Sequence, residues 1–176
     1  MPNPITVNRR HYEDLAVGEV IDLGHILVTK EMIIAFATEF DPFPFHLDED
    51  AAKASLLGGL AASGWQTAAL SLRMLGDSFL SGIASMDGLG FSDLKWKRPV
   101  MKGDSIGGTA TISALRRSRS RPERGIVTLE FDIRNQKGEE VMSMRLANLV
   151  ELRDPGHIPM PEQPYDVPSG HTGDLP

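Results

Sequence analysis

Asp41 and His46 stand five positions apart in Glu39-Phe40-Asp41-Pro42-Phe43-Pro44-Phe45-His46-Leu47-Asp48, an acid and a base inside an apolar run stiffened by proline. Each proline fixes φ near −65°, removes a backbone donor and restricts the residue before it. Such a segment can hold two side chains at a set separation while its phenylalanines keep bulk water away. General acid-base catalysis needs that combination: geometry first, then protonation behaviour adjusted by burial and neighbours. On spacing alone a blander reading stays open, with Asp41 turning the chain and His46 a satisfied core histidine. His46 and Asp48 also offer two metal ligands, but no third ligand stands at a convincing spacing, so no metal is assigned. Ser63 and Ser71 have neither a base nearby in sequence nor a nucleophile-elbow pattern, which argues against a serine hydrolase.

The elements that would position this pair can be read around it. Residues 12–28 form a lead-in and a first strand, with Gly18 as a turn. Thr29 is placed as a helix N-cap and Glu31 falls in the first turn, where the helix dipole favours an anion. Met32, Ile33, Phe36, Ala37 and Phe40 follow at helical spacing, and Pro42 and Pro44 end that helix beside Asp41. Asp48 is suited to cap a short second helix through Ser55, before Gly58-Gly59. Residues 60–80 are expected to form a long helix, apolar nearly all round and therefore enclosed, with Trp65, Leu72 and Phe79 in the core. Gln66, Arg73 and Asp77 are its members that want water or partners.

From residue 86 to 151 the pattern changes to strands. Leu89, Phe91, Leu94 and Trp96 belong to the first, and Ile106 to Leu115 to the next. Val127, Leu129, Phe131 and Ile133 alternate with Thr128, Glu130, Asp132 and Arg134, the signature of a half-buried strand. Asn135-Gln136-Lys137-Gly138 is a hairpin turn candidate, and Val141 to Leu152 returns. One buried helix followed by long antiparallel strands gives an α+β domain with a curved sheet wrapped around the helix. Residues 1–152 are taken as one domain and 153–176, rich in Pro, Gly and His, as a tail that is disordered or draped on a partner.

Composition narrows the function classes. At 176 residues the chain suffices for one domain with its own core. A net charge of −6 argues against a general nucleic-acid binder, and the lack of cysteine excludes disulfides, thiolate nucleophiles and Cys-based zinc sites. Met1-Pro2-Asn3-Pro4 lacks the blocks of a signal peptide, and no apolar run reaches the length of a membrane span. The expectation is a cytoplasmic protein with no membrane or nucleic-acid partner.

In this order and spacing the residues resemble the MaoC-like acyl dehydratases, among them the (R)-specific enoyl-CoA hydratases. The resemblance covers roughly residues 12 to 151. It starts with Tyr12-Glu13-Asp14-Leu15-Ala16-Val17-Gly18-Glu19 and continues through Phe36-Ala37. Its centre is a D-x-x-P-x-H motif, here Asp41-Pro42-Phe43-Pro44-Phe45-His46, followed by Leu47-Asp48-Glu49-Asp50-Ala51-Ala52. Gly64 stands at the start of the central helix, and Trp96-Lys97-Arg98-Pro99-Val100 with Gly103-Asp104 resembles the family's strand-turn signature. Two positions depart from it: Phe43 where the family often has Asn, and Ser63-Gly64 where it often has His-Gly. Both remove a polar group near the presumed thioester and leave substrate choice open.

The resemblance implies a hotdog fold and the reversible hydration of a 2-enoyl thioester. It implies Asp41 as principal base, His46 sharing water activation and proton delivery, and the Gly64 amide in an oxyanion hole. Phe43, Phe45 and Ser63 are the expected substrate contacts around them. Arg116, Arg117 and Arg119, part of a basic run with Arg121 and Arg124, could meet the phosphates of coenzyme A; a solvated hairpin tip is an equal reading. No cofactor is implied beyond coenzyme A as part of the substrate, and the partner expected is a second copy, as homodimer or higher assembly. A hotdog acyl-CoA thioesterase and a non-catalytic acyl-CoA-binding protein are the alternatives.

Overall fold

A computed structural model describes residues 9–155. After a 3-10 turn at Tyr12–Asp14, strand β1 (Val20–Leu27) leads into four helices: α1 (Lys30–Phe40), α2 (Pro44–Leu47), α3 (Glu49–Ala54) and α4 (Gly64–Ser78). Four more strands follow, β2 (Ser85–Trp96), β3 (Ser105–Arg117), β4 (Arg124–Asn135) and β5 (Glu140–Glu151). All pair antiparallel in one sheet of order β1-β3-β4-β5-β2. This curved five-stranded sheet around a central helix is the hotdog fold expected above.

The alternation in β4 is what seats the sheet on the core. Val127, Leu129, Phe131 and Ile133 are all 3% exposed or less and join Met74 and Leu75 of α4 and Phe79 just beyond it, while Glu130 and Arg134 face water. The β4–β5 hairpin turns at Asn135-Gln136-Lys137-Gly138 as its residue types imply. Asn135 Oδ1 accepts from Lys137 N–H and Glu139 N–H, and Gly138 supplies a φ of +77°. β3 holds a tighter constraint. Gly108 has φ +147°, and a Cβ there would stand 2.0 Å from the carbonyl oxygen of Asp132 on β4. Gly108→Ala must distort the β3–β4 ladder and is expected to cost about 3 kcal/mol of folding stability. Chemical denaturation compared with the parent chain checks this.

Two expectations about α4 need correction. The helix begins at Gly64 rather than at residue 60, because residues 60–62 lie extended beside 100–102. Ala62 N–H donates to Val100 O at 2.8 Å, Lys102 N–H donates to Leu60 O at 2.9 Å, and Ala61 bridges Met101. Nor is α4 enclosed on all sides. Phe79 is buried as expected, but Trp65 is 60% and Leu72 37% exposed. The helix packs on β1 and β3, which leaves its Trp65 face open towards the end of β2. Gln66, read as wanting water or a partner, is 3% exposed and has a partner: it donates from Nε2 to Met32 O at 2.9 Å, tying α4 to α1.

The tail expected from residue 153 lies outside the described residues from 156 on. Its first residues are fixed to the N-terminal turn: Glu13 accepts from Arg153 N–H at 3.0 Å and Asp154 N–H at 3.2 Å, and Arg153 pairs with Asp14.

Candidate active site

Each segment that carries the acid and the base is closed by its own cap. Thr29 accepts from Met32 N–H at 3.3 Å and starts α1. The helix stops at Asp41, whose N–H reaches Ala37 O at 3.0 Å, because Pro42 cannot continue the ladder. Pro44 then occupies the first turn of α2, where a missing N–H costs nothing. Asp48 closes α2 with its N–H and opens α3 with its carboxylate, which accepts from Asp50 N–H at 3.0 Å and Ala51 N–H at 2.8 Å. With its carboxylate engaged in this cap, Asp48 serves the helix. Among the described residues no group of three His, Asp or Glu side chains is placed to hold a metal ion.

His46 is 7% exposed and its Nδ1 lies 2.7 Å from the carbonyl oxygen of Ala61. A carbonyl oxygen can only accept, so Nδ1 carries the proton and donates. In the neutral ring Nε2 is then an acceptor. Nε2 faces Asp41 Oδ2 across 3.7 Å, beyond the reach of a direct hydrogen bond. Two acceptors at that separation suit one molecule that donates to both, and water is the smallest that can. Such a water spends both its protons on the pair and keeps its lone pairs for an electrophile.

The phenylalanines form a stack leading to this pair. Phe43 lies parallel to Phe45 at 5.4 Å, and Phe45 meets the His46 ring edge-on at 4.6 Å. Phe45 packs against the core and backs the imidazole, whereas Phe43 is 56% exposed and faces outward. Glu49, just beyond, is held between Lys102 and Lys30, and those two ammonium groups hold its carboxyl below the ordinary carboxylate range.

Gly64 follows by three residues the carbonyl that holds His46. As the first residue of α4 its N–H has no acceptor within the helix, and the dipole there favours a developing negative charge. The Ser63 side chain, 1% exposed, accepts from Trp65 N–H at 3.2 Å, so its hydroxyl acts as the cap of α4. Trp96, at the end of β2, donates from Nε1 to Gly64 O at 2.9 Å. The sequence placed Trp96 in a strand and at the head of the strand-turn signature; nothing in its spacing signals a contact across 32 residues.

The structure does not bring the arginines to this site within one chain. Arg116 and Arg117 end β3 and Arg119 lies in the turn beyond. The Asp41–His46 segment adjoins the other end of that strand through Ala61 and Met101. Thirteen residues of strand separate the two ends, about 40 Å at ~3.3 Å per residue. Arg117 instead reaches the backbone oxygens of Asp154 and Pro155, 3.4 and 3.3 Å away.

Comparison with known proteins fits this geometry. A family model described as a MaoC-like domain matches residues 14–132. The chain is similar to the MaoC-like dehydratase of Rhodospirillum rubrum, 45% identical, over 82% of this chain and 98% of that one, with a TM-score of 0.74. It is also similar to an (R)-hydratase of A. caviae involved in PHA biosynthesis, 27% identical over 80% of this chain and 98% of that one, TM-score 0.63. A mesaconyl-CoA hydratase of Haloarcula hispanica is 37% identical over 68 residues, which are 38% of this chain and 19% of that protein.

Proposed function

The chain belongs to the MaoC-like domain family, and we propose that it catalyses the reversible addition of water to a 2-enoyl thioester of coenzyme A. The observation that carries this reading is the paired acceptor geometry: His46 Nδ1 committed to Ala61 O, with Nε2 and Asp41 Oδ2 3.7 Å apart. The hydratase relatives, one of them acting on a CoA thioester by name, support the same chemistry.

In this mechanism Asp41 and His46 hold one water against C3 of the enoyl group. As the water oxygen bonds to C3, its proton passes to Asp41, the principal base. The C2–C3 π pair moves onto the thioester as an enolate. The Gly64 N–H donates to the enolate oxygen, where a fixed donor is worth far more than in bulk water. The pair returns one proton to C2 as the thioester carbonyl reforms, His46 sharing the delivery. One water has been added and both side chains are restored. Phe43 and Phe45 line the approach, and the exposed ring of Phe43 favours an apolar acyl group there.

The working unit is a homodimer joined along β2. That strand is one of the sheet's two edges, the other being β1, and Met86, Leu89, Phe91 and Trp96 on it are each 44–52% exposed. A long apolar edge is a liability unless another chain covers it.

Purified protein mixed with a series of 2-enoyl-CoA thioesters should bleach their conjugated ultraviolet absorbance without releasing free thiol. Thiol release from saturated acyl-CoA would point to hydrolysis instead, and binding without turnover would sink the enzyme reading.

A further inference from the structure

We propose that Trp96 is a positioning residue for the amide that receives the enolate oxygen; this rests on the hydratase reading above. Three contacts converge on the first turn of α4. Trp96 Nε1–H donates to Gly64 O at 2.9 Å. Its indole lies so close over Gly64 that a Cβ there would stand 2.6–2.8 Å from three ring atoms. Trp65, the next residue along, meets the same indole edge-on, with ring centroids 5.3 Å apart at 81°.

The bond from Trp96 acts on the peptide that joins Gly64 to Trp65. At the other side of that peptide, Trp65 N–H donates to Ser63 Oγ at 3.2 Å. Both polar ends of the unit are therefore held, its oxygen by Trp96 and its nitrogen by Ser63. The Gly64 N–H lies in the preceding peptide, Ser63–Gly64, whose oxygen accepts from Thr67 N–H at 3.1 Å and from Thr67 Oγ1 at 3.3 Å. The other end of that peptide is the Gly64 Cα, and the anchored Gly64–Trp65 peptide and the indole packed over it hold that end in place. Glycine at this position makes the restraint necessary, because it lacks the Cβ that would limit φ and ψ. It also makes the restraint possible, because only glycine lets the indole lie so close. The indole thus supplies from β2 the rigidity that the local sequence withholds. With Asp41 and His46 fixed by α1, α2 and the Ala61 carbonyl, the site's third member is fixed from the sheet.

Trp96→Phe keeps an aromatic ring over Gly64 and removes only the donor. The expected result is a kcat for enoyl-CoA hydration lowered about tenfold with KM within twofold, since the amide acts on charge that exists only in the transition state. Amide hydrogen exchange, followed residue by residue by NMR, should quicken at Gly64, Trp65 and Gln66 and stay unchanged in the strands. Unchanged kcat in Trp96→Phe, or a loss carried wholly by KM, would overturn the proposal. Should the parent protein hydrate no enoyl-CoA at all, the hydratase reading fails by itself. Exchange then decides the pin: faster exchange confined to the first turn of α4 upholds the restraint, and unchanged exchange removes it.

Discussion

Exchanging Asp41 for Asn should lower kcat for enoyl-CoA hydration by about a thousandfold, and His46→Ala by a similar factor, in the range removed with a general base. The argument starts from the proton on Nδ1. With Nδ1–H bound to Ala61 O at 2.7 Å, the neutral imidazole offers Asp41 only a lone pair, and the two acceptors stand 3.7 Å apart. The asparagine side chain has nearly the volume of aspartate but cannot take a proton, and its NH2 group could donate directly to Nε2 and exclude the water. His46→Ala leaves Asp41 with no second anchor for that water and leaves Ala61 O without its donor. Because both residues act on one molecule, their losses should not add: the double variant should be about as slow as Asp41→Asn alone. Steady-state kinetics on the single and double variants, with thermal melts to confirm folding, test all three statements. Near-normal turnover in both single variants would remove the pair from the mechanism. Losses that multiply in the double variant would mean the residues act on different steps.

The parts of this site legible in the sequence are those decided within a few residues of chain. Thr29 and Asp48 announce themselves as caps by type and position, and both cap helices through their side chains. Pro42 and Pro44 break α1 and start α2, which by itself sets Asp41 and His46 on adjoining ends. Period two in β4 survives because that strand has one face on the core and lies between two others. What could not be read depends on partners far along the chain. The Ala61 carbonyl that fixes the tautomer of His46 lies 15 residues away. Ala61 is free to serve because Leu60 and Ala62 pair with residues 100–102, and that same pairing shortens α4. The choice between the two readings of the arginines was open for a related reason. A basic run can be located in a strand-and-turn pattern, but which end of the sheet meets the active segment is a matter of topology. Trp65 was assigned to the core on apolar character alone. Its exposure follows from where the sheet ends, which is a property of the whole fold.

That exposed edge supports the other prediction of large effect. Pairing with β5 satisfies only one side of β2, so the outer side of a strand 12 residues long presents free backbone groups. Leu89 and Phe91 near its middle are each 52% exposed, and Trp65 of α4 lies beside its end against Trp96. The edge has no proline; its register shifts at Ser85–Asp87, Gly88–Gly90 and Ser92–Lys95 and its charged Asp87, Asp93 and Lys95 flank an apolar centre at Leu89 and Phe91, where a partner strand would pair. A second copy running antiparallel about a two-fold axis would satisfy the backbone and cover these rings together. In such an interface every substitution counts twice. Leu89→Glu with Phe91→Glu would place four carboxylates at the join, and even at about 1 kcal/mol for each desolvated charge the dissociation constant should rise about a thousandfold. Analytical ultracentrifugation should find the parent protein dimeric at micromolar concentration and the double variant monomeric, with circular dichroism showing both folded. Because β2 ends in Trp96, directly over Gly64, the monomer should also lose hydration activity: the strand end that holds the amide would no longer be braced by a partner. A parent protein that sediments as a monomer, or a variant that stays dimeric, would place the assembly on another face. A monomeric variant with full activity would show that one chain holds the whole site.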